Sequence, residues 1–417
     1  MSLPKIAIIY LSYHSQPYFE RAWKALQTLD YPRDRLEIII VDNPHPEFGS
    51  SEKFIRERVQ NCHSERSEES SSTRQLDPSA TPQDDRTRKC LETVILPQSS
   101  NLGFAGGNNV GIKMALEQGC DYVYLHNQDG FVEPGTVRKL VEAMEQDKTI
   151  GAAQSLIMLY PEINLVNTLG NAYHYLGFGY SQGLRERLSD QTSPRAPLLE
   201  ERVQSTAINN SLSSRRGIEG EVSLATPDIG YASGASLMLR SDLLRQHGLL
   251  DEDFFAYHED LEYSLRLKSL GYKIVVVPAS KFYHEYSFIH NKNKYYLMER
   301  NRFATILMYY KLPTIILLLP IAIVVEMGLC LFALQRGWIK EKLLAYQYWL
   351  MPHHWGGWLK KRQMIQKQRT VSDHVLLKQA VGKIMFDDSE IKNSILKYFA
   401  NPLMSAYWGL VKKVIVW

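Results

Sequence analysis

The stretch Asp121-Tyr-Val-Tyr-Leu-His-Asn-Gln-Asp129-Gly130 constrains the fold most. Tyr122, Val123, Tyr124 and Leu125 form a short apolar and aromatic run of strand character. Asn127, Asp129 and Gly130 then break it with turn chemistry. An acid is left at the carboxyl end of a strand, the edge of an open α/β sheet where ligands gather. A carboxylate on such a turn can hold a hard divalent cation through oxygen. It can equally be an ordinary Asp-Gly turn after a buried strand, and this stretch alone leaves both readings open.

The 417 residues are enough for two or three structural parts, with a hydrophobic share of 45% and a charged share of 22% typical of a folded chain. A net charge of +3 gives no footprint of nucleic-acid binding. Cys62, Cys90, Cys120 and Cys330 show no metal-ligand spacing, so neither a zinc site nor a disulfide framework is expected, and a reducing cytosol suits them. The run Lys5 to Tyr10 is too short for a secretory h-region and reads instead as the start of the first strand.

In chain order, Ile6 to Leu11 reads as a buried strand. Phe19, Trp23, Leu26 and Leu29 mark a helix that stops at Tyr31-Pro32. The run Leu36 to Val41 is a second parallel-type strand closing on Asp42-Asn43-Pro44, a second acid at a strand end. It either accepts hydrogen bonds from a ribose or base, or only opens a turn. Residues 62–90 have almost nothing apolar to bury and are expected to form a disordered insertion. A third strand at Thr93 to Leu96 leads into Asn101-Leu-Gly-Phe-Ala-Gly-Gly-Asn-Asn-Val-Gly111. This is expected to be a glycine-rich loop before a helix over 110–118, a layout that lets backbone amides approach a phosphate. Its spacing does not match a dinucleotide fingerprint.

A helix is expected from about Pro134 to Gln146, and a strand over Gly151 to Leu159. Residues 185–223 are polar and expected to form a long surface loop. Gly230 and Gly234 then permit close backbone approach before a strand over Ala235 to Leu239. Glu259 and Asp260 fall in the first turn of a helix marked by Leu261, Leu265, Leu267 and Leu270, where the dipole favours their ionised forms. An ionised carboxylate there serves as a general base or as a helix cap. After a strand over Tyr272 to Val277, His284 is either structural or a metal partner of Asp129.

Taken together, these residues resemble the family 2 glycosyltransferases of the GT-A fold, particularly the rhamnosyltransferase-like branch. The motifs that carry the resemblance are Tyr10-Leu-Ser-Tyr13, Val41-Asp42-Asn43, Asn101 to Asn109, the acid turn at Asp129, Ser233-Gly-Ala235, Phe254 to Asp260 and Tyr295 to Asn301, in the family's order. The resemblance implies an α/β fold with a Rossmann-like, mostly parallel mixed sheet flanked by helices. It also implies a metal-dependent, inverting transferase of hexosyl type, with a nucleoside-diphosphate sugar donor and a Mg2+ or Mn2+ ion neutralising the leaving diphosphate. Carried over by position, Asp129 and His284 are the metal ligands and Asp260 is the general base. Asp42, Asn43, Gly103, Asn108, Asn127, Gly234 and Glu259 would lie against the substrates. Asn127 stands where the family's DxD-type motif has its first acid, which leaves metal binding mainly to Asp129, His284 and the diphosphate.

The expected division is a GT-A domain over 1–290 and a C-terminal helical, membrane-associated region over 291–417. Leu312 to Leu334 has the roughly 20 apolar residues needed to cross a bilayer. Basic residues on both sides of it conflict with a single span under the positive-inside rule. An interfacial or re-entrant helical hairpin on the cytoplasmic leaflet is therefore expected, the alternative being a buried apolar helix pair packed on the catalytic domain. Trp338, Trp349, Trp355, Trp358, Trp408 and Trp417 would sit at the headgroup boundary. The expected function is sugar transfer to a glycan or lipid-linked glycan acceptor at the cytoplasmic face of the cell membrane. The alternatives are a sugar-nucleotide-binding protein without turnover and a scaffold for polysaccharide assembly.

Overall fold

The computed structural model describes residues 3–60, 90–188, 226–285, 292–384 and 396–417. Its strands are β1 (Ile6–Ser12), β2 (Leu36–Asp42), β3 (Glu92–Pro97), β4 (Tyr122–Asn127), β5 (Gly130–Val132), β6 (Ile150–Leu159), β7 (Val166–Thr168), β8 (Asn171–Tyr173), β9 (Gly179–Ser181), β10 (Ser236–Arg240) and β11 (Lys273–His284). The insertion expected at 62–90, apart from Cys90, and most of the loop expected at 185–223 lie outside the described residues.

The chain forms two compact units. The first takes Met1–Ile163, Gly234–Phe255 and Val277–Tyr286; the second takes Asn164–Ser233, Ala256–Val276 and Ser287–Trp417. The expected cut at 290 lies close to the last of these crossings, but the second unit also draws on two earlier segments.

The first unit is built on a sheet of order β3-β2-β1-β4-β10-β6-β11-β5. All seven residues of β1 and of β2 are buried, which is why both read as unbroken apolar runs rather than alternating ones. Parallel pairing sets Ser12 opposite Asp42 and Leu11 opposite Asn127, so β1, β2 and β4 end level with one another. Antiparallel β10 lies between β4 and β6, and β11 runs antiparallel to β5, which makes the sheet mixed. Helices Phe19–Leu26, Gly103–Glu117, Thr136–Gln146 and Ser241–His247 flank it. This is the α/β architecture that the GT-A resemblance implies.

Three expectations need correction. The glycine-rich stretch is not a loop: helix Gly103–Glu117 begins inside it. A Cβ on Gly107 would stand 2.5 Å from Leu11 Cδ1, and one on Gly111 would stand 2.7 Å from Ile9 Cγ2. Those glycines therefore let the helix press onto β1. β11 also continues past Pro278 to His284, since an imino residue is tolerated wherever the ladder needs no N–H. Finally, Cys90 is disulfide-bonded, while Cys120 and Cys330 are free. Spacing motifs are blind to cysteines that only the fold brings together.

The second unit holds the small β8-β9 sheet and helices Glu259–Ser269, Lys292–Tyr309, Leu312–Arg336, Ile339–Leu350, Trp355–Gln368 and Asn401–Val414. Tyr173, Tyr175, Tyr309 and Tyr310 are among its buried residues. Trp338, Trp358 and Trp408 are buried as well, so only part of the tryptophan set is free to meet headgroups; Trp355 is the exposed one.

Candidate active site

In the first unit, Asp129 and His284 meet although they lie 155 positions apart. His284 Nε2 hydrogen-bonds Asp129 Oδ1 at 3.0 Å. The cause is strand register: β11 pairs with β5 so that His284 stands opposite Gly130, the residue after Asp129. The Glu285 amide donates to the Asp129 carbonyl at 2.7 Å and closes the junction. Gly130 permits the approach, because a Cβ there would stand 2.8 Å from the Tyr283 carbonyl oxygen and overlap the Phe282 ring. Asn127 Nδ2 donates to the same Asp129 oxygen at 2.8 Å, so the residue in place of a first acid orients the second. Burial pushes the Asp129 carboxyl up, but the charge and hydrogen bond of His284 outweigh it and hold the carboxyl below its ordinary value.

Asp129 and His284 offer one carboxylate oxygen and one imidazole nitrogen, ligand types that Mg2+ or Mn2+ accept, with diphosphate oxygens able to complete the shell. The pair fits such an ion when a diphosphate is present. Among the described residues, no group of three or more His, Cys, Asp or Glu side chains gathers as a ready-made metal cage.

The neighbouring residues tie the sheet edge together. Asp42 is buried, and its carboxylate accepts from Ser12 Oγ at 2.9 Å, Ser50 Oγ at 2.5 Å and the Ser51 amide at 3.1 Å. Asn43 Nδ2 donates to the Gly103 carbonyl at 2.9 Å, and Asn43 Oδ1 accepts from the Leu102 amide at 3.0 Å. Asn108 is buried and donates to the Phe104 carbonyl within its own helix. Gly103 has φ +70°, and a Cβ there would collide with the Phe255 carbonyl, which receives the amides of Phe104 and Ala105. Gly234 precedes Ala235, whose carbonyl accepts from the Asn127 amide at 2.9 Å. Sequence reasoning missed Gln128. Its side chain accepts from the Tyr13 amide at 2.5 Å and donates to the Tyr13 carbonyl at 2.6 Å, clamping the loop after β1 to the acid turn. Its position inside the acid motif was the available signal.

In the second unit, Glu259 and Asp260 open helix Glu259–Ser269. Asp260 Oδ1 accepts from the Leu261 amide at 2.7 Å. At Glu259 burial works against the dipole's preference for the ionised form. Burial, and then the neighbouring Asp260 charge, push its carboxyl well above its ordinary value. The preceding residues Tyr257 and His258 have φ of 67° and 71°, a left-handed backbone that costs such side chains about 1–3 kcal/mol each. Asn301 restrains this turn by donating through Nδ2 to the carbonyls of Ala256 at 3.1 Å and Tyr257 at 2.6 Å. The His258 ring lies 3.1 Å from the Gly177 carbonyl oxygen. Asn301 belongs to the last of the motifs named above, yet no role was read for it. A separate cleft of this unit, about 550 Å³, is lined by Asn293, Tyr296, Lys340, Gln347 and His353 and contains none of the expected site residues.

Residues 82–194 match the model described as Glycosyl transferase family 2. The match is confined to that segment. It contains Gly103, Asn108, Asn127 and Asp129, whereas Asp42, Gly234, Glu259, Asp260 and His284 lie outside it. No curated protein matches the chain. Among solved structures, the chain is similar to GalNAc-T7 with UDP, GalNAc and Mn2+ (TM-score 0.48, 12% identity, 75% of this chain and 49% of that one). It is also similar to S. aureus TarS (0.41, 14%, 73% and 40%). A third is the mannosyltransferase PcManGT from Pyrobaculum calidifontis with GDP-Man and Mn2+ (0.45, 13%, 99% and 87%). The chain thus spans about half the length of GalNAc-T7 and two-fifths of TarS.

Proposed function

We propose that this protein is an inverting glycosyltransferase moving a hexosyl-type sugar from a nucleoside-diphosphate donor to a hydroxyl of a lipid-linked glycan. The reaction would serve surface polysaccharide synthesis at the cytoplasmic face of the cell membrane. The observation that carries this reading is the Asp129–His284 pair, joined at 3.0 Å beside the acid turn of the family-2 segment. The rhamnosyltransferase-like branch rests on the motif run alone.

Asp129 and His284 would hold a divalent cation, which when bound supplies charge neutralisation on the leaving diphosphate. Asp260, as its carboxylate, takes the proton of the acceptor hydroxyl while that oxygen attacks the anomeric carbon. One glycosidic bond forms as the bond to the diphosphate breaks, and a single displacement inverts the centre. Burial and the neighbouring Asp260 charge raise the Glu259 carboxyl above its ordinary value, which disfavours a second negative charge beside that base.

The test is incubation with a panel of sugar nucleotides and Mn2+ or Mg2+, followed for slow donor hydrolysis. Asp260→Asn should abolish transfer and leave donor binding intact, while Asp129→Ala should weaken metal-dependent donor binding. Donor binding with no turnover under any condition would favour the non-catalytic binding reading, and activity untouched by either change would overturn the site.

A further inference from the structure

Helix Leu312–Arg336 is strongly apolar, with mean hydropathy 2.7 over its most apolar 18 residues, yet the second unit covers only one face of it. Thr314, Leu318, Ile321, Leu329 and Ala333 are buried at helical spacing along its whole length. On the opposite face Leu312, Ile316, Leu319, Ile323, Met327 and Leu331 are each at least half exposed. At 1.5 Å per residue, that stripe runs most of a helix of about 37 Å. Isolated exposed leucines are ordinary, but a continuous apolar stripe of this length marks an interaction surface.

The middle of the helix is fastened. Glu326 pairs with Arg302 at 2.6 Å and with Lys342 at 2.8 Å, and Glu299 pairs with the same two cations at 2.7 and 2.6 Å. Lys342 is fully buried and the Arg302 side chain is 3% exposed, so withdrawing Glu326 would strip a partner from buried charges. Near the amino end, Thr314 Oγ1 donates to Asp373 Oδ2 at 2.5 Å. Further along, the Tyr407 hydroxyl, on helix Asn401–Val414, donates to the Leu317 carbonyl. A helix tied to its own unit at several points along its length, polar bonds inward, leaves only its outer apolar face to meet a partner.

Charge identifies what covers the outer face. Residues 311–417 carry 15 Lys and Arg against 6 Asp and Glu, a surplus of nine cations in a chain whose net charge is only +3. Lys311 and Arg336 bracket the stripe, and exposed Lys413 stands beside exposed Leu410 and Val414 on helix Asn401–Val414. Cations at both ends of an apolar helix oppose a span but suit a helix lying in an anionic surface.

We propose that the Leu312–Leu331 face seats in the plane of an anionic lipid leaflet, parallel to the membrane and without crossing it. This rests on the reading above that the acceptor is lipid-linked. The first test is co-flotation of the full chain with vesicles of phosphatidylcholine alone or mixed equally with phosphatidylglycerol. Binding should favour the anionic vesicles and weaken with salt, and Ile323→Glu with Leu331→Glu should lower it about tenfold or more. Soluble donor hydrolysis should be unchanged in that variant; hydrolysis absent from the wild type while vesicle binding persists would sink the enzymatic reading and leave this one standing. For depth, nitroxides on single introduced cysteines at positions 316, 323 and 331, in a background with the free thiols of Cys120 and Cys330 removed (Cys120→Ala with Cys330→Ala), should report one common depth. A profile deepest at 323 and shallow at the ends would establish a span and overturn the proposal. Equal binding to neutral vesicles would overturn it too, as would a dimer that buries the face and ignores lipid.

Discussion

Gly130→Ala tests whether the Asp129–His284 pair depends on strand register. The added Cβ would stand 2.8 Å from the Tyr283 carbonyl oxygen and overlap the Phe282 ring, which is fully buried and has no room to withdraw. Backbone cannot rotate away from such a contact as a flexible side chain can, so β11 must shift outward from β5. Overpacking of this kind costs about 1–3 kcal/mol. For a unit of this size, that lowers the apparent unfolding midpoint by roughly 2–4 °C per kcal/mol. The functional effect should be larger. His284 Nε2 and Asp129 Oδ1 are at an ordinary hydrogen-bond distance of 3.0 Å, so an outward shift of about 1 Å parts them. Loss of an orienting partner at a metal ligand typically costs 10–100-fold in metal affinity. The assay is titration calorimetry of the responsive donor with Mn2+ and with EDTA, beside thermal unfolding. Gly328→Ala is the control, since a Cβ there meets nothing within 4 Å. If Gly130→Ala lowered the midpoint but kept wild-type metal-dependent donor binding, the register argument would survive and the site argument would not. If neither changed, both would fail.

Two further substitutions probe the turn before Asp260. Asn301→Ala leaves the Ala256 and Tyr257 carbonyls without their amide donor, at a cost of about 1–3 kcal/mol. Turnover should fall at least about tenfold at unchanged donor affinity, and wild-type kcat would show that the turn does not need this restraint. Glu259→Gln tests the buried acid. Because the Glu259 pKa is raised in the folded state, the fold holds more protons than the unfolded chain above the ordinary value of 4.5, and stability is lost as pH rises through that window. The glutamine variant should lose less stability between pH 5 and 8 than the wild type, roughly in step with the raised pKa; parallel curves would mean that Glu259 ionises freely.

The sheet was legible because its strands announce themselves by burial. β1 and β2 are buried along their full length, so apolar runs bounded by turn residues located them closely. The acid turn was legible for the same reason, since Asp129 comes two residues after β4, whose first five residues are buried. Helix Gly103–Glu117 was misplaced because glycine was read for its backbone freedom. At Gly107 and Gly111 what matters is the missing Cβ, and only the facing side chains of Leu11 and Ile9 reveal that use.

The candidate site was harder to read because one residue type serves both to bind a ligand and to bind the protein to itself. Asp42, Asn43 and Asn108 are polar groups at a sheet edge, and each has its hydrogen bonds directed inward to neighbouring loops and helices. Asp42 illustrates the consequence. Its two oxygens already accept from two hydroxyls and an amide, so a ribose could engage it only by displacing Ser12, Ser50 or Ser51. Exchanging a made hydrogen bond for another yields little net free energy, about 0.5–1.5 kcal/mol at most. Asp129 differs in kind: its side chain is a quarter exposed, its partners are an imidazole and an amide that a cation can replace, and His284 is itself a ligand type. Within the first unit, the carboxylate whose hydrogen-bond partners are exchangeable is the stronger functional candidate, and the one already saturated by serines is the stronger structural one.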